Sequence, residues 1–435
     1  MKNIAVVGTG YVGLVTGAGI SDFGSKVCCL DIDIEKIKLL NNGKIPIYEP
    51  GLKDLVDRNI KSKRLTFSND IEESIKYAEI IFIAVGTPEN KSGEADISAI
   101  LQVAELIGKN LNNYKLICTK STVPVGTGKQ IINVINKHKQ NNIQFDYCSN
   151  PEFLREGKAV SDFLRPDRVV LGVSSKKAYD YMKDIYRPLY INKTPLINTT
   201  IETAEMIKYA ANAFLALKIS YINEVANLCD EIGADINVVS EALGSDGRIS
   251  PKFLHPGPGF GGSCFPKDTK ALVEIAKKYE LNMNTIDAAI KTNNYQRRRM
   301  FNKIENLLEG DLKNKKIAVL GLSFKQETDD VRESAAIEII LELINREVSI
   351  KAYDPVANDS MKKLIPDIEY KLNWQSAVKG CDAVVIMTEW NEFRGLNLEE
   401  LKELMFTPII LDTRNILNIS ELKRLEFKFD NVGRK

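Results

Sequence analysis

Short apolar runs, each closed by a glycine, a small hydroxyl residue or an acid, recur along the chain, and longer stretches with helical spacing separate them. Asn3-Ile4-Ala5-Val6-Val7 is the first run. Gly8-Thr9-Gly10-Tyr11-Val12-Gly13 follows, then a helical pattern from Leu14, then Lys26-Val27-Cys28-Cys29-Leu30 ending at Asp31. Unbroken apolar runs of this length predict strands covered on both faces, hence a parallel sheet flanked by helices. The rhythm continues. Ile80-Ile81-Phe82-Ile83-Ala84-Val85 precedes Gly86-Thr87-Pro88, and Leu116-Ile117-Cys118 precedes Lys120-Ser121-Thr122-Val123-Pro124. Phe145-Asp146-Tyr147-Cys148 precedes Ser149-Asn150-Pro151-Glu152, and Asp167 to Val173 adds one more strand. From Thr203 to Leu228 the pattern is one long helix, apolar nearly all round, which predicts burial between domains or subunits.

Near residue 315 the opening pattern restarts. Lys316-Ile317-Ala318-Val319-Leu320-Gly321 matches the first run, Ser349 to Asp354 matches the run before Asp31, and the runs before Thr388 and Thr413 match those before Thr87 and Thr122. The expected fold is α/β: two Rossmann-like doubly wound parallel-sheet domains, at 1–200 and 315–435, joined by a central long-helix region at 201–300.

The first glycine turn stands in the context of a dinucleotide site: strand, Gly8, Gly10 and Gly13, helix, strand, acid. Val12 lies inside the turn. Asp31 would accept from a ribose hydroxyl and repel a 2′-phosphate, so NAD is expected over NADP. Lys36 stands beside the adenosine side, with a surface helix lysine as the alternative. Ligands in such sheets bind where strands end, which makes Thr87, Thr122, Glu152 and Glu156 candidates, although each also suits a turn or helix cap. The turn at Gly321-Leu322-Ser323-Phe324-Lys325 lacks the three glycines. With Lys325 and Arg332 it suits one nucleotide or a diphosphate, or both are surface charges.

Candidate chemistry centres on Gly259-Phe260-Gly261-Gly262-Ser263-Cys264-Phe265-Pro266-Lys267-Asp268. Cys264 precedes a helix start marked by Pro266, where the helix dipole and Lys267 both favour a thiolate. The glycines let a ligand approach the backbone. A buried structural cysteine is the other reading. Lys208 and Asn212, four residues apart, share a helix face and offer an oxyanion a cation and an amide donor; a structural pair is the alternative. Ser250 to Gly257, preceded by Arg248, is too rich in proline and glycine for regular structure and reads as a binding loop.

Composition narrows the rest. At 435 residues, two or three domains are expected, and a net charge of +1 gives no case for nucleic acid or an anionic membrane. Arg297-Arg298-Arg299 reads as a solvated helix face. Seven cysteines without metal-type spacing and only two histidines exclude a histidine-rich zinc site and a Cys-x-x-Cys site. With no signal-peptide pattern and no bilayer-length apolar run, a cytoplasmic protein is expected.

These motifs together resemble the UDP-glucose/GDP-mannose dehydrogenase family over nearly the whole chain. The resemblance rests on Gly8-x-Gly10-Tyr11-Val12-Gly13, Ser121-Thr122-Val123-Pro124 and Asn150-Pro151-Glu152-Phe153-Leu154-Arg155-Glu156-Gly157. It also rests on Glu205-x-x-Lys208-Tyr209-x-x-Asn212-Ala213, the Cys264 stretch and Lys325-x6-Arg332-Glu333-Ser334. It implies oxidation of a primary alcohol on a nucleotide sugar to a carboxylate with two NAD in succession. Cys264 would carry a thiohemiacetal and then a thioester. Lys208 and Asn212 would stabilise oxyanions, Asp268 and Thr122 would hold or activate water, and Glu152 is a second candidate base. Phe253, Leu254, His255, Pro256, Gly257, Gly261 and Lys325 would contact the substrate, and Thr87, Glu156, Lys267 and Arg332 would help bind NAD. Arg248 would reach a neighbouring subunit's sugar site, so a homodimer built on the long helix is expected. UDP-glucose is the expected substrate. The alternatives are GDP-mannose or a UDP-N-acetylhexosamine, a two-electron hydroxyacid-type reaction with Cys264 structural, or a non-catalytic nucleotide sensor.

Overall fold

A computed structural model describes residues 2–90, 93–140 and 142–434. The chain divides into two compact units, Met1–Ala211 and Asn212–Lys435.

The first unit is built on an eight-stranded sheet. Its strands are β1 (Asn3–Val7), β2 (Lys26–Leu30), β3 (Leu65–Ser68), β4 (Ile80–Ile83), β5 (Lys115–Thr119), β6 (Phe145–Ser149), β7 (Val169–Val173) and β8 (Leu196–Thr199). They lie in the order β3-β2-β1-β4-β5-β6-β7-β8. β1 shows why its sequence is unbroken apolar. Ile4 and Val6 enter one core and Ala5 and Val7 the other, so both faces are covered by helices. Each fully buried aliphatic side chain of this kind contributes about 1.5–3 kcal/mol. The first six strands are parallel, and β7 pairs antiparallel with β6 and parallel with β8. Strand periodicity carries no information on direction, so this reversal is visible only in the structure.

The second unit repeats the arrangement with six strands: β9 (Lys316–Leu320), β10 (Ser349–Tyr353), β11 (Glu369–Tyr370), β12 (Ala383–Ile386), β13 (Ile409–Asp412) and β14 (Lys428–Asn431). All pairings are parallel, in the order β11-β10-β9-β12-β13-β14. Ile317 and Val319 face one core and Ala318 and Leu320 the other, as in β1. A helix of 32 residues, Ile201–Ile232, starts in the first unit and continues in the second. No helix among the described residues is long and apolar enough to cross a membrane.

The two first turns differ where it matters for a ligand. After β1, Gly8 has φ of 102° and a Cβ there would lie 2.7 Å from the Ala84 carbonyl oxygen, so only glycine fits. A Cβ on Gly10 would meet nothing within 4 Å. No packing demands glycine at Gly10, and the space in front of its backbone is open. After β9 the acid matching Asp31 is Asp354, which is 1% exposed. One of its oxygens accepts from Leu322 N–H, Ser323 N–H, the Ser323 hydroxyl and the Trp390 indole; the other accepts from Val356 and Ala357 N–H. Asp354 has no capacity left for a ribose.

Candidate active site

In the first unit, the end of β2 delivers Asp31 to the glycine turn. Its Oδ2 accepts from the Thr9 N–H at 2.9 Å and the Thr9 hydroxyl at 2.6 Å, and Lys36 Nζ lies 3.2 Å away. Burial pushes this carboxyl up, but the donors on Thr9 and Asp33 and the Lys36 charge outweigh it and hold it below the usual range. Asp31 is therefore an anion. Helix Tyr11–Asp22 starts directly after Gly10 with no side-chain cap, leaving backbone N–H groups open to a pyrophosphate. The open cradle, the uncapped helix and the ionised acid fit a dinucleotide.

The ends of β4 and β5 bring Thr87 and Thr122 together, the Thr87 hydroxyl donating to the Thr122 carbonyl at 2.9 Å. Beyond β6, Glu152 is 4% exposed and its Oε1 accepts from Lys208 Nζ at 3.0 Å, while its other oxygen accepts from the Leu154 N–H. Lys208, 3% exposed, also lies 5.4 Å from the centre of the Phe153 ring. A buried ion pair of this kind fixes both side chains in one geometry.

Two further buried acids hold this unit's loops, and their sequence context gave them no role. Glu49, 7% exposed, accepts from the Tyr11 hydroxyl and from Gly157 and Ala159 N–H, tying the glycine turn to the segment that carries Glu156. Glu205 accepts from Gly126 and Gly128 N–H at 2.7 and 2.8 Å. It thus caps helix Thr127–His138, whose own Gly126 supplies no side chain, and fixes the loop that carries Thr122. Burial pushes its carboxyl up to about 7, against the opposing pull of those two backbone donors.

In the second unit, Cys264 is half-buried and occupies the N-cap position of helix Phe265–Lys277. The residue therefore stands at the positive end of that helix. The Ser263 hydroxyl lies 3.5 Å from the Cys264 sulfur. One turn on, Asp268 is 1% exposed; Asn212 Nδ2 donates to its Oδ2 at 2.6 Å and Lys267 Nζ lies 3.0 Å from Oδ1. Phe253 and Phe260 pack against the Phe265 ring with centroids 6.0 and 6.1 Å away. Phe253 has φ of 65°, a conformation that strains an aromatic residue and that the loop must impose.

Helix Asn284–Leu307 braces the rest of this loop. Asn293 exchanges hydrogen bonds with both backbone groups of Phe260, and Gln296 donates to the Gly257 carbonyl. Arg297 donates to the carbonyls of Phe260 and Glu333. Asn223 from the long helix accepts from the Gly257 N–H. Arg297 corrects the expectation of a solvated arginine cluster: it is 8% exposed and braces the loop, because positions 293, 296 and 297 share the inward face. A Cβ on Gly261 would lie 2.2 Å from the Glu333 carbonyl oxygen, and the Gly262 N–H donates to the Arg332 carbonyl at 2.9 Å. The Cys264 loop therefore lies directly against the segment carrying Arg332.

The remaining candidates are placed as follows. His255 is exposed, while Leu254, Pro256 and Gly257 are buried. Lys325 Nζ lies 5.2 Å from the Phe324 ring centre. The side chains of Arg248 and Arg332 are 89% and 63% exposed and pair with Asp246 and Asp330. No group of histidine, cysteine or acidic side chains among the described residues could hold a metal ion.

The sequence matches three descriptions of one family, UDP-glucose/GDP-mannose dehydrogenase: the NAD binding domain at residues 2–190, the central domain at 202–295 and the UDP binding domain at 318–419. The chain belongs to the UDP-glucose/GDP-mannose dehydrogenase family. Within that family it is 46% identical over 435 residues to a UDP-glucose 6-dehydrogenase of Bacillus subtilis, covering 100% of this chain and 94% of that one. It is 45% identical to the UDP-glucose 6-dehydrogenase of Rhizobium meliloti, covering 99% of each. Among solved structures it resembles a UDP-glucose dehydrogenase from Pyrobaculum islandicum, with TM-score 0.93, 34% identity and coverage of 100% and 98%. A UDP-D-ManNAc dehydrogenase from Pyrococcus horikoshii gives TM-score 0.88 at 27% identity, covering 99% of each chain. The open cradle after β1 thus lies in the family's NAD binding domain, and the filled turn after β9 lies in its UDP binding domain.

Proposed function

We propose that the chain is an NAD-dependent UDP-glucose 6-dehydrogenase, oxidising UDP-glucose to UDP-glucuronate by four electrons. The observation that carries this reading is Cys264 at the N-cap of helix Phe265–Lys277. An alcohol dehydrogenase that stops at the aldehyde needs no nucleophile. Oxidation onward requires one, because an aldehyde loses a second hydride only after a group has added to it. NAD, when bound, supplies the hydride acceptor for each of the two steps.

The Cys264 thiolate adds to the aldehyde carbon, giving a thiohemiacetal, and the second oxidation leaves a thioester on the same sulfur. Lys208 and Asn212 stabilise the oxyanions formed at that carbon. Water attacks the thioester, the acid is released and the thiol is restored. Asp268 and Thr122 hold that water, and Glu152 is the second base for the same step. Gly8, Gly10, Val12, Gly13, Asp31, Lys36, Thr87 and Glu156 bind NAD, with Lys267 and Arg332. Phe253 to Gly257, Gly261 and Lys325 bind the nucleotide sugar. In these terms residues 1–200 serve NAD, 201–300 carry the cysteine loop and 315–435 serve the UDP-sugar.

A homodimer belongs to this reading. Phe214, Tyr221, Leu228 and Ile232 form an apolar line along the long helix, each more than half exposed. Burying each against a second copy would contribute about 1.5–3 kcal/mol, and Arg248 would then reach the partner's sugar site. A reducing compartment such as the cytoplasm suits seven cysteines that stand outside any disulfide.

The test is NADH formed per UDP-glucose consumed with NAD in excess, run beside GDP-mannose and a UDP-N-acetylhexosamine. A ratio of two with UDP-glucose preferred is expected. A ratio of one removes the role of Cys264, and a preference for GDP-mannose replaces the substrate.

A further inference from the structure

Lys120 is a buried cation that the proposed reaction does not use. It follows β5 directly and is 6% exposed. Its backbone N–H donates to the Ile83 carbonyl at 2.8 Å, and its Nζ donates to Asn150 Oδ1 at 3.2 Å. Asn150 is held from three further sides. The same oxygen accepts from the Tyr186 hydroxyl at 2.7 Å, its Nδ2 donates to the Val170 carbonyl at 2.9 Å, and its N–H donates to the Thr119 carbonyl at 2.9 Å. Lys120 and Asn150 therefore lock the ends of β5 and β6 to each other. Two residues beyond Lys120 stands Thr122, and two beyond Asn150 stands Glu152.

We propose that Lys120 is a positioning residue for the reaction: through Asn150 it fixes the strand ends that carry Thr122 and Glu152, and it is a second cation for the Glu152 carboxylate beside Lys208. The proposal rests on the reading that Glu152 acts on the bound sugar. The groups acting on the Lys120 ammonium are Glu152 and Lys208, the thiols of Cys118 and Cys148, and the Tyr186 ring 6.0 Å from Nζ. Burial pushes Lys120 down to about 8; the Glu152 carboxylate is the strongest influence in the other direction, and Lys208 opposes the charge. The sign follows. Lys120 is charged below about pH 8 and loses its proton above it, leaving Glu152 with Lys208 alone.

Two measurements decide it. The first is kcat against pH for the intact enzyme, Lys120→Met and Lys120→Arg. The intact enzyme should lose kcat as pH rises through about 8. Lys120→Met should lose about tenfold in kcat at pH 7 with KM for both substrates within about threefold, a loss confined to the transition state. Lys120→Arg, whose guanidinium does not titrate, should lack the decline near pH 8. A decline near pH 8 that survives in Lys120→Arg overturns the proposal, even if Lys120→Met fails to fold.

The second is independent of turnover: the side-chain titration of Lys120 in ¹³C-lysine-labelled protein, assigned by its loss in Lys120→Arg. In Glu152→Gln the midpoint should fall by about one pH unit, since the favouring carboxylate is gone. An unmoved midpoint overturns the link to Glu152. If no nucleotide sugar yields NADH, the reading of the reaction falls, while this titration still decides whether Lys120 and Glu152 are coupled.

Discussion

Asn212 Nδ2 donates to Asp268 Oδ2 at 2.6 Å, and both side chains are buried. The amide proposed to serve an oxyanion is thus held by a carboxylate whose other oxygen faces Lys267. Asp268→Asn keeps the shape but removes the charge. Loss of a general base or of its water-holding charge is expected to lower kcat by about 10²–10⁴-fold. NADH release under saturating substrates measures it, and an unchanged kcat would remove Asp268 from the chemistry.

Cys264→Ala should abolish turnover, while NAD still binds to the first unit. The expected pattern is NADH formation at background beside an unaltered NAD dissociation constant by calorimetry. Turnover near that of the intact enzyme would make the thiol structural and the reaction a two-electron one.

Asp31→Ala removes a carboxylate held ionised by Thr9 and Lys36. A hydrogen bond to a charged group contributes about 1.5–3 kcal/mol, so the preference for NAD over NADP should narrow about tenfold to a hundredfold. The ratio of kcat/KM for the two cofactors reads this directly, and an unchanged ratio would move the ribose contact elsewhere.

Glu205 predicts a pH dependence of stability. Its carboxyl is raised to about 7 from an ordinary 4.5, chiefly by burial. The protonated form is therefore favoured on folding: this contribution is fully present below about pH 4.5 and is lost as pH rises through about 7. The loss is about 3 kcal/mol, and Glu205→Gln should not show it. Urea midpoints of the two proteins at pH 5 and pH 8 test this; parallel changes in both would assign the effect to other groups.

Much of this was legible before the structure. Gly8, Gly10, Gly13 and Asp31 are readable because a tight turn beside a pyrophosphate leaves little chemical choice. The position of Cys264 ahead of a helix is readable because Pro266 marks the helix start beside it. Arg297 was not, because three arginines in a row look solvated until the partner of each helix face is known. The partners of Glu49 and Glu205 were not readable for a related reason. A lone acid reads as a surface charge, and only the fold shows that its partners are backbone N–H groups of distant segments. The reversal of β7 left no trace in an apolar run that reads the same in either direction.

Asp31 and Asp354 end matching strands, and their surroundings set them apart. The two sheets share a strand order in their first halves and an acid after the second strand, although their first turns differ. The two acids differ in what they answer to. In the proposed reading Asp31 answers to a bound cofactor, so a substitution there would retune cofactor choice. Asp354 is held by Trp390 and its own turn, so drift there threatens the integrity of the sheet itself. Where the first sheet offers a socket, the second carries a keystone.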